Sequence, residues 1–79
     1  MIDNYQNLAN AIVLLAVNDY RKALKRLSLY PKYRTVQYQK RQIEQFFLSE
    51  YYKLLTSVDG ERLIRKLNED VESKLIRRG

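Results

Sequence analysis

The stretch that decides the fold runs from residue 4 to residue 28 and reads NYQNLANAIVLLAVNDYRKALKRLS. It contains neither glycine nor proline, and apolar residues recur in it with the three-to-four spacing of one helix face. That face comprises Ala9, Ile12, Val13, Ala16, Tyr20, Ala23, Leu24 and Leu27. The spacing predicts a helix over 4–28. Pro31 ends it, because the residue before a proline is driven out of the helical region.

The remainder of the chain follows the same period. A second helix is predicted over 35–56 with Thr35 as its cap. A third is predicted over 60–77, where Asp59 caps the helix and Gly60 supplies the conformational freedom of the turn. The buried stripe of the second helix comprises Val36, Ile43, Phe47, Tyr51, Leu54 and Val58, or their immediate neighbours. That of the third comprises Leu63, Ile64, Leu67, Val71 and Leu75.

This pattern sets the expected fold class. Only two glycines and one proline occur in 79 residues, and helix-favouring residues dominate. The sequence predicts a single all-α domain, a three-helix bundle with two long helices and a shorter C-terminal helix. The first half of helix one is apolar around most of its circumference, which leaves two interpretations open. Either this half is the central element of the bundle, or one of its stripes is a homodimer seam.

The composition excludes most catalytic mechanisms. Without cysteine or histidine the chain has no disulfide, thiol nucleophile, zinc or haem ligand set, or imidazole acid–base pair. No glycine-rich loop suits a phosphate, and the Asp59-Gly60-Glu61 step is too short for a calcium loop. We therefore expect a binding protein that is not an enzyme and uses no cofactor and no metal.

No segment has the form of a targeting or membrane sequence. The N-terminus lacks the positive region of a signal peptide, and the longest apolar run, 11–17, is far shorter than the roughly 20 residues of a membrane span. We expect a cytoplasmic protein with no membrane partner.

Positive charge is concentrated in the middle of the chain. The formal net charge is +6, yet residues 21–41 contain eight bases and no acid. These bases are Arg21, Lys22, Lys25, Arg26, Lys32, Arg34, Lys40 and Arg41. Among them lie Tyr30, Tyr33 and Tyr38, which also belong to the candidate binding surface. Lysine and arginine neutralise phosphates, and tyrosine rings stack on nucleobases. The segment therefore predicts a nucleic-acid-binding surface.

Two other interpretations of this segment stay open. An acidic surface of a host protein would be attracted by the same charges. Alternatively, the bases form a solvated face, with Tyr20 and Tyr38 half-buried in the core. Asp19 lies where the apolar stripe of helix one gives way to bases, and we expect it to pair with one of them. The sequence has no helix-turn-helix, zinc-finger or RNA-recognition signature.

A run of paired aromatic residues, FFLSEYY at 46–52, precedes Leu55-Thr56 and the Asp59-Gly60-Glu61 step. Neighbours on a helix diverge by about 100°. One member of each aromatic pair is therefore expected in the core.

Together with LANAIV at 8–13 and DYRKAL at 19–24, this run resembles a group of short, uncharacterised proteins encoded in phages, prophages and mobile elements of Gram-positive bacteria. The resemblance covers most of the chain, although members usually have a tryptophan in the second aromatic pair. It implies a phage-type protein of the bacterial cytoplasm and supplies no catalytic residues. In that setting the chain is expected to be a nucleic-acid accessory. The alternative is an inhibitor or adaptor that docks on a host protein, such as an anti-CRISPR or an inhibitor of the replication machinery.

Overall fold

Four α-helices follow one another in the computed structural model, which describes the backbone of residues 4–78 and the side chains of residues 6–74. They are α1 (Asn4–Leu29), α2 (Arg34–Phe47), α3 (Glu50–Leu55) and α4 (Gly60–Arg78). The described backbone contains no strand, so the all-α prediction is confirmed. None of the described helices combines the length and apolarity needed to cross a bilayer.

The helix count corrects the three-helix prediction. α1 and α4 occupy almost the same residues as the first and third predicted helices, but segment 35–56 is divided into α2 and α3. α4 has 19 residues and α2 has 14, so the C-terminal helix is not the shorter one.

Ser49 produces the break between α2 and α3. Its Oγ donates a hydrogen bond to the Phe46 carbonyl at 2.6 Å and accepts one from the Tyr52 amide at 3.2 Å. The same side chain thus bonds to the last turn of one helix and caps the next. Glu50 in the first turn of α3 suits the positive end of that helix.

The break changes which aromatic residues are buried. Phe47 and Tyr52 are each 1% exposed, which confirms one core member for each pair. In the predicted stripe, Tyr51, Leu54 and Val58 are 53%, 84% and 54% exposed. The neighbours Tyr52 and Leu55 are buried and half-buried instead, as the prediction allowed, because a continuous 3.6-residue period does not pass through Ser49. The prediction was wrong at Val58, where both neighbours are exposed as well.

α2 begins without the predicted Thr35 cap. The cap position is Tyr33, whose side chain makes no capping hydrogen bond. Pro31 and Lys32 form a turn closed by a hydrogen bond from the Tyr33 amide to the Tyr30 carbonyl at 3.1 Å. Because this turn ends at Tyr33, Thr35 already lies inside the helix.

α4 begins at the predicted cap. Asp59 Oδ1 accepts hydrogen bonds from the amides of Glu61 and Arg62 at 3.0 and 3.4 Å. The reason predicted for Gly60 was wrong, since no described glycine has a positive φ. Instead, a Cβ at Gly60 would overlap the carbonyl oxygen of Phe47 and lie 2.8 Å from the carbonyl carbon. Glycine permits the end of α2 and the start of α4 to touch.

The core lies where α1, α2, α3 and α4 meet. Its buried cluster comprises Tyr20, Leu24, Phe47, Tyr52, Leu67 and Val71. The Phe47 ring meets Tyr20 and Tyr52 edge-on, at centroid distances of 5.8 and 5.6 Å. Leu75, predicted for the same core, lies outside the described side chains.

The first half of α1 contributes one face to this core. Val13, Ala16 and Val17 pack against it, whereas Leu8, Leu14 and Leu15 are 60–63% exposed. The other helices therefore cover one face of this half and leave another exposed.

Candidate functional site

An open groove of about 450 Å³ runs between α1 and α2. The α1 wall comprises Asp19, Lys22, Ala23 and Arg26. The α2 wall comprises Tyr38, Gln39, Gln42 and Ile43. The spacing of Asp19, Lys22 and Arg26 by three and four residues explains why one helix presents all three side chains to the same groove.

The end of the groove on the Arg26 side of Asp19 is cationic. Lys22 and Arg26 are exposed on one wall, and Tyr38 is 59% exposed on the other. Arg34 and Arg41 are also exposed, four residues before and three residues after Tyr38. Side chains three and four residues apart are neighbours on a helix surface, so arginines flank the Tyr38 ring on α2.

The groove continues past Asp19 into an apolar section of about 290 Å³. This section is lined by Ile12, Leu15, Ala16, Asp19, Gln42, Ile43 and Phe46. Asp19 is exposed and forms no ion pair with any described base, so the expected pairing is wrong. Its carboxylate instead marks the boundary between a cationic and an apolar end.

The structure separates the eleven predicted site residues into distinct places. Arg21 and Lys25 are exposed on α1 outside the groove, whereas Lys22, Arg26 and Tyr38 meet within it. One interpretation of the basic segment placed Tyr38 half-buried in the core, and this was wrong, since Tyr38 is exposed. Tyr30, Lys32 and Tyr33 lie with Leu29 and Pro31 around an apolar hollow of about 630 Å³ at the α1–α2 turn.

Lys40 differs from the other ten because it belongs to an internal hydrogen-bond network. Its Nζ lies 2.9 Å from Glu44 Oε2, and the Tyr20 hydroxyl donates to the same oxygen at 2.6 Å. Asn68 Nδ2 donates to the Tyr20 hydroxyl at 3.0 Å, which connects α4 to this network. Lys40 is already neutralised, so it adds little to a binding surface.

This network shifts two pKa values. Burial, and then the hydrogen bond to Glu44, raise the pKa of the Tyr20 phenol well above its ordinary value. Burial alone would raise the pKa of Glu44 as well. The hydrogen bonds from Tyr20 and Lys40 outweigh that effect, so the pKa of Glu44 lies below its ordinary value.

Sequence reasoning missed the two glutamines of the groove. Gln39 and Gln42 stand beside Tyr38 on the α2 wall. The spacing of Gln42 from Tyr38 contained a signal, since residues four apart share a helix face and glutamine amides both donate and accept hydrogen bonds. Gln39 directly follows Tyr38, and its spacing contained no such signal.

Neither a protein-family model, nor a curated protein, nor a solved structure matches this chain. The similarity to phage and mobile-element proteins therefore stays a prediction.

Proposed function

We propose that this chain binds nucleic acid through the cationic end of the α1–α2 groove. The observation that carries the proposal is that Lys22 and Arg26 face Tyr38, Gln39 and Gln42 across one open groove. Cations bind phosphates, a ring stacks on a base, and amides form hydrogen bonds with base edges. Together these groups provide each of the contacts that a nucleotide requires.

The charges around the groove support the same assignment. Arg34 and Arg41 extend the cationic surface along α2, and Arg21 and Lys25 extend it along α1. Asp19 is the one acid among the residues that line the groove, and it lies at the boundary with the apolar end. A phosphate backbone placed at the cationic end, on the Arg26 side of Asp19, meets positive charge on both helices.

Two charge-neutralising variants of equal net charge test the proposal. The site variant replaces Lys22, Arg26, Arg34 and Arg41 by Gln, and the matched control replaces Arg62, Arg65, Lys66 and Lys74 of α4 by Gln. All eight side chains are exposed, so both variants should fold. Fluorescence anisotropy with a labelled oligonucleotide gives the affinity, and circular dichroism gives the helix content.

The expected result depends on salt. If four cations contact phosphates of a single strand, raising the salt from about 50 to about 200 mM weakens binding by the unmodified chain about 50-fold. The site variant should bind far more weakly and lose most of that salt dependence, whereas the α4 control retains both affinity and slope. Equal losses in the two variants would mean that only net charge matters, and the groove assignment would then fail.

The predicted setting gives this binding a role. In a phage or mobile element, the chain would act as an accessory to replication, regulation or packaging, and would need no chemistry of its own.

A second candidate function is that of an inhibitor or adaptor that docks on a host protein. The observation that favours it is the apolar end of the groove, where Leu15 is 63% exposed beside Ile12 and Phe46. Its fitting partner is a helix with an apolar stripe followed by acidic residues, which would meet Lys22 and Arg26. This function predicts stoichiometric inhibition of a nuclease or polymerase that Leu15→Ser abolishes, with no binding of free nucleic acid at moderate salt.

A further inference from the structure

Three tyrosine rings of the basic segment are uncovered. Tyr30, Tyr33 and Tyr38 are 64%, 50% and 59% exposed. The close ring pairs among the described residues involve only Tyr20, Phe46, Phe47, Tyr51 and Tyr52. The three exposed rings therefore stack on no other described ring, and their faces are available to a ligand.

Two of these rings lie at the α1–α2 turn, and the third lies in the groove. Tyr33 occupies the N-cap position of α2, five residues before Tyr38. At 1.5 Å per residue the two positions are about 7.5 Å apart along α2. Tyr30 joins Tyr33 across the turn through the backbone hydrogen bond at 3.1 Å.

Stacking on these rings requires bases that have an uncovered face. The bases of a duplex cover one another, and only an unpaired strand presents base faces to tyrosine rings.

We propose that the ligand of the groove is a single-stranded nucleic acid. Its bases stack on Tyr38 and on the rings at the turn, and its phosphates lie along Lys22, Arg26 and Arg34. This inference rests on the proposed function and adds to it the strand state of the ligand.

Competing forms of one oligonucleotide test the inference. Anisotropy titrations use single-stranded DNA, single-stranded RNA of the same sequence, the DNA duplex, and an abasic DNA strand of equal length. We expect at least one single strand to bind about tenfold or more tighter than the duplex. The abasic strand should bind about tenfold more weakly than its base-bearing counterpart, because it keeps the phosphates and lacks the stacking faces.

Ring variants identify the stacking residues. Tyr38→Leu should weaken binding of the single strand about tenfold without changing the salt slope, and Tyr38→Phe should restore it. Tyr51→Leu is the control, since Tyr51 is 53% exposed but lies on α3 outside the basic segment. The chain has no tryptophan, so quenching of tyrosine fluorescence by the strand gives a second readout that Tyr38→Leu should diminish.

The outcomes separate this inference from the proposed function. Equal affinity for duplex and single strand, or full affinity in the Tyr30, Tyr33 and Tyr38 triple leucine variant, would overturn the inference. In either case the proposed function would hold, provided that the site variant in Lys22, Arg26, Arg34 and Arg41 binds the oligonucleotide far more weakly than the unmodified chain. Absence of binding to all four oligonucleotides would overturn both.

Discussion

Two of the tyrosines whose side chains the structure describes are buried, and their hydroxyl groups have opposite surroundings. Tyr20 is fully buried, donates a hydrogen bond to Glu44 and accepts one from Asn68. Tyr52 is 1% exposed, and its hydroxyl has no hydrogen-bond partner among the described residues. The rings are otherwise alike, since both pack edge-on against Phe47.

The difference shows that two regions of one core are stabilised in different ways. Around Tyr20, a polar network joins α1, α2 and α4, and each hydrogen bond there specifies how these helices meet. Around Tyr52, ring packing and the close approach of Gly60 to Phe47 hold α2, α3 and α4 together. The first region should be sensitive to the loss of a polar atom, and the second to added volume.

Gly60→Ala should have the largest effect. Its Cβ would overlap the Phe47 carbonyl, and neither backbone can move without separating α2 from α4. We expect the free energy of unfolding to fall by about 3 kcal/mol, measured by urea denaturation. Ser57→Ala, at an exposed position of the same loop, is the control and should be nearly neutral. A neutral Gly60→Ala would show that the two backbones are not in contact.

Tyr20→Phe should come next. It leaves the ring in place but removes a donor to Glu44 and an acceptor for Asn68, so we expect a loss of about 1–2 kcal/mol in the free energy of unfolding. The exposed Tyr38→Phe is the matched control. If both changes were equally mild, the network would contribute nothing measurable.

Tyr52→Phe should change the free energy of unfolding in the opposite direction. The native hydroxyl is buried without a partner, and its removal abolishes that desolvation cost without leaving another group unpaired. We expect the free energy of unfolding to rise by about 1 kcal/mol. Measured beside Tyr20→Phe, the same chemical change would then stabilise one region and destabilise the other. A loss of stability would indicate that the Tyr52 hydroxyl has a partner in solution.

The smallest expected effect is on the stability of the fold at acidic pH. The pKa of Glu44 is lower in the folded chain than its ordinary value of 4.5, so the unfolded chain binds the proton more readily. Its contribution is therefore present above that value and is lost as the pH falls through the folded pKa. Glu44→Gln should flatten this part of the stability profile, measured by urea denaturation between about pH 6 and about pH 3. Glu50→Gln, at an exposed ion pair with Lys53, should change it less.

The sequence was sufficient for helices whose signals are local. The period of residues 4–28, the stop at Pro31 and the cap at Asp59 each predicted features that the structure contains. The break at Ser49 was missed because Leu48 and Glu50 are compatible with a continuous helix, and only the serine hydroxyl interrupts it. Because of that omission, the predicted stripe lies one residue away from Tyr52, which is the buried residue of its pair.

The candidate site divides in the same way. The positive charge of residues 21–41 could be predicted from the sequence, because charge is a property of each residue alone. The sequence could not predict which basic residues share a groove, since that depends on how α1 packs against α2. The ion pair of Lys40 with Glu44 is local, since the two are four residues apart on α2 and the spacing alone could have predicted it. The hydrogen bond from Tyr20 of α1 to the same carboxylate depends on tertiary structure.

The contact between Gly60 and Phe47 closes residues 48–59 into a loop whose two ends touch. Because Tyr52 of α3 packs against the Phe47 ring at one end of this loop, an insertion beside α3 would disturb that contact. Extra sequence, such as a peptide tag or a dye-labelling motif, should therefore be kept out of residues 48–59.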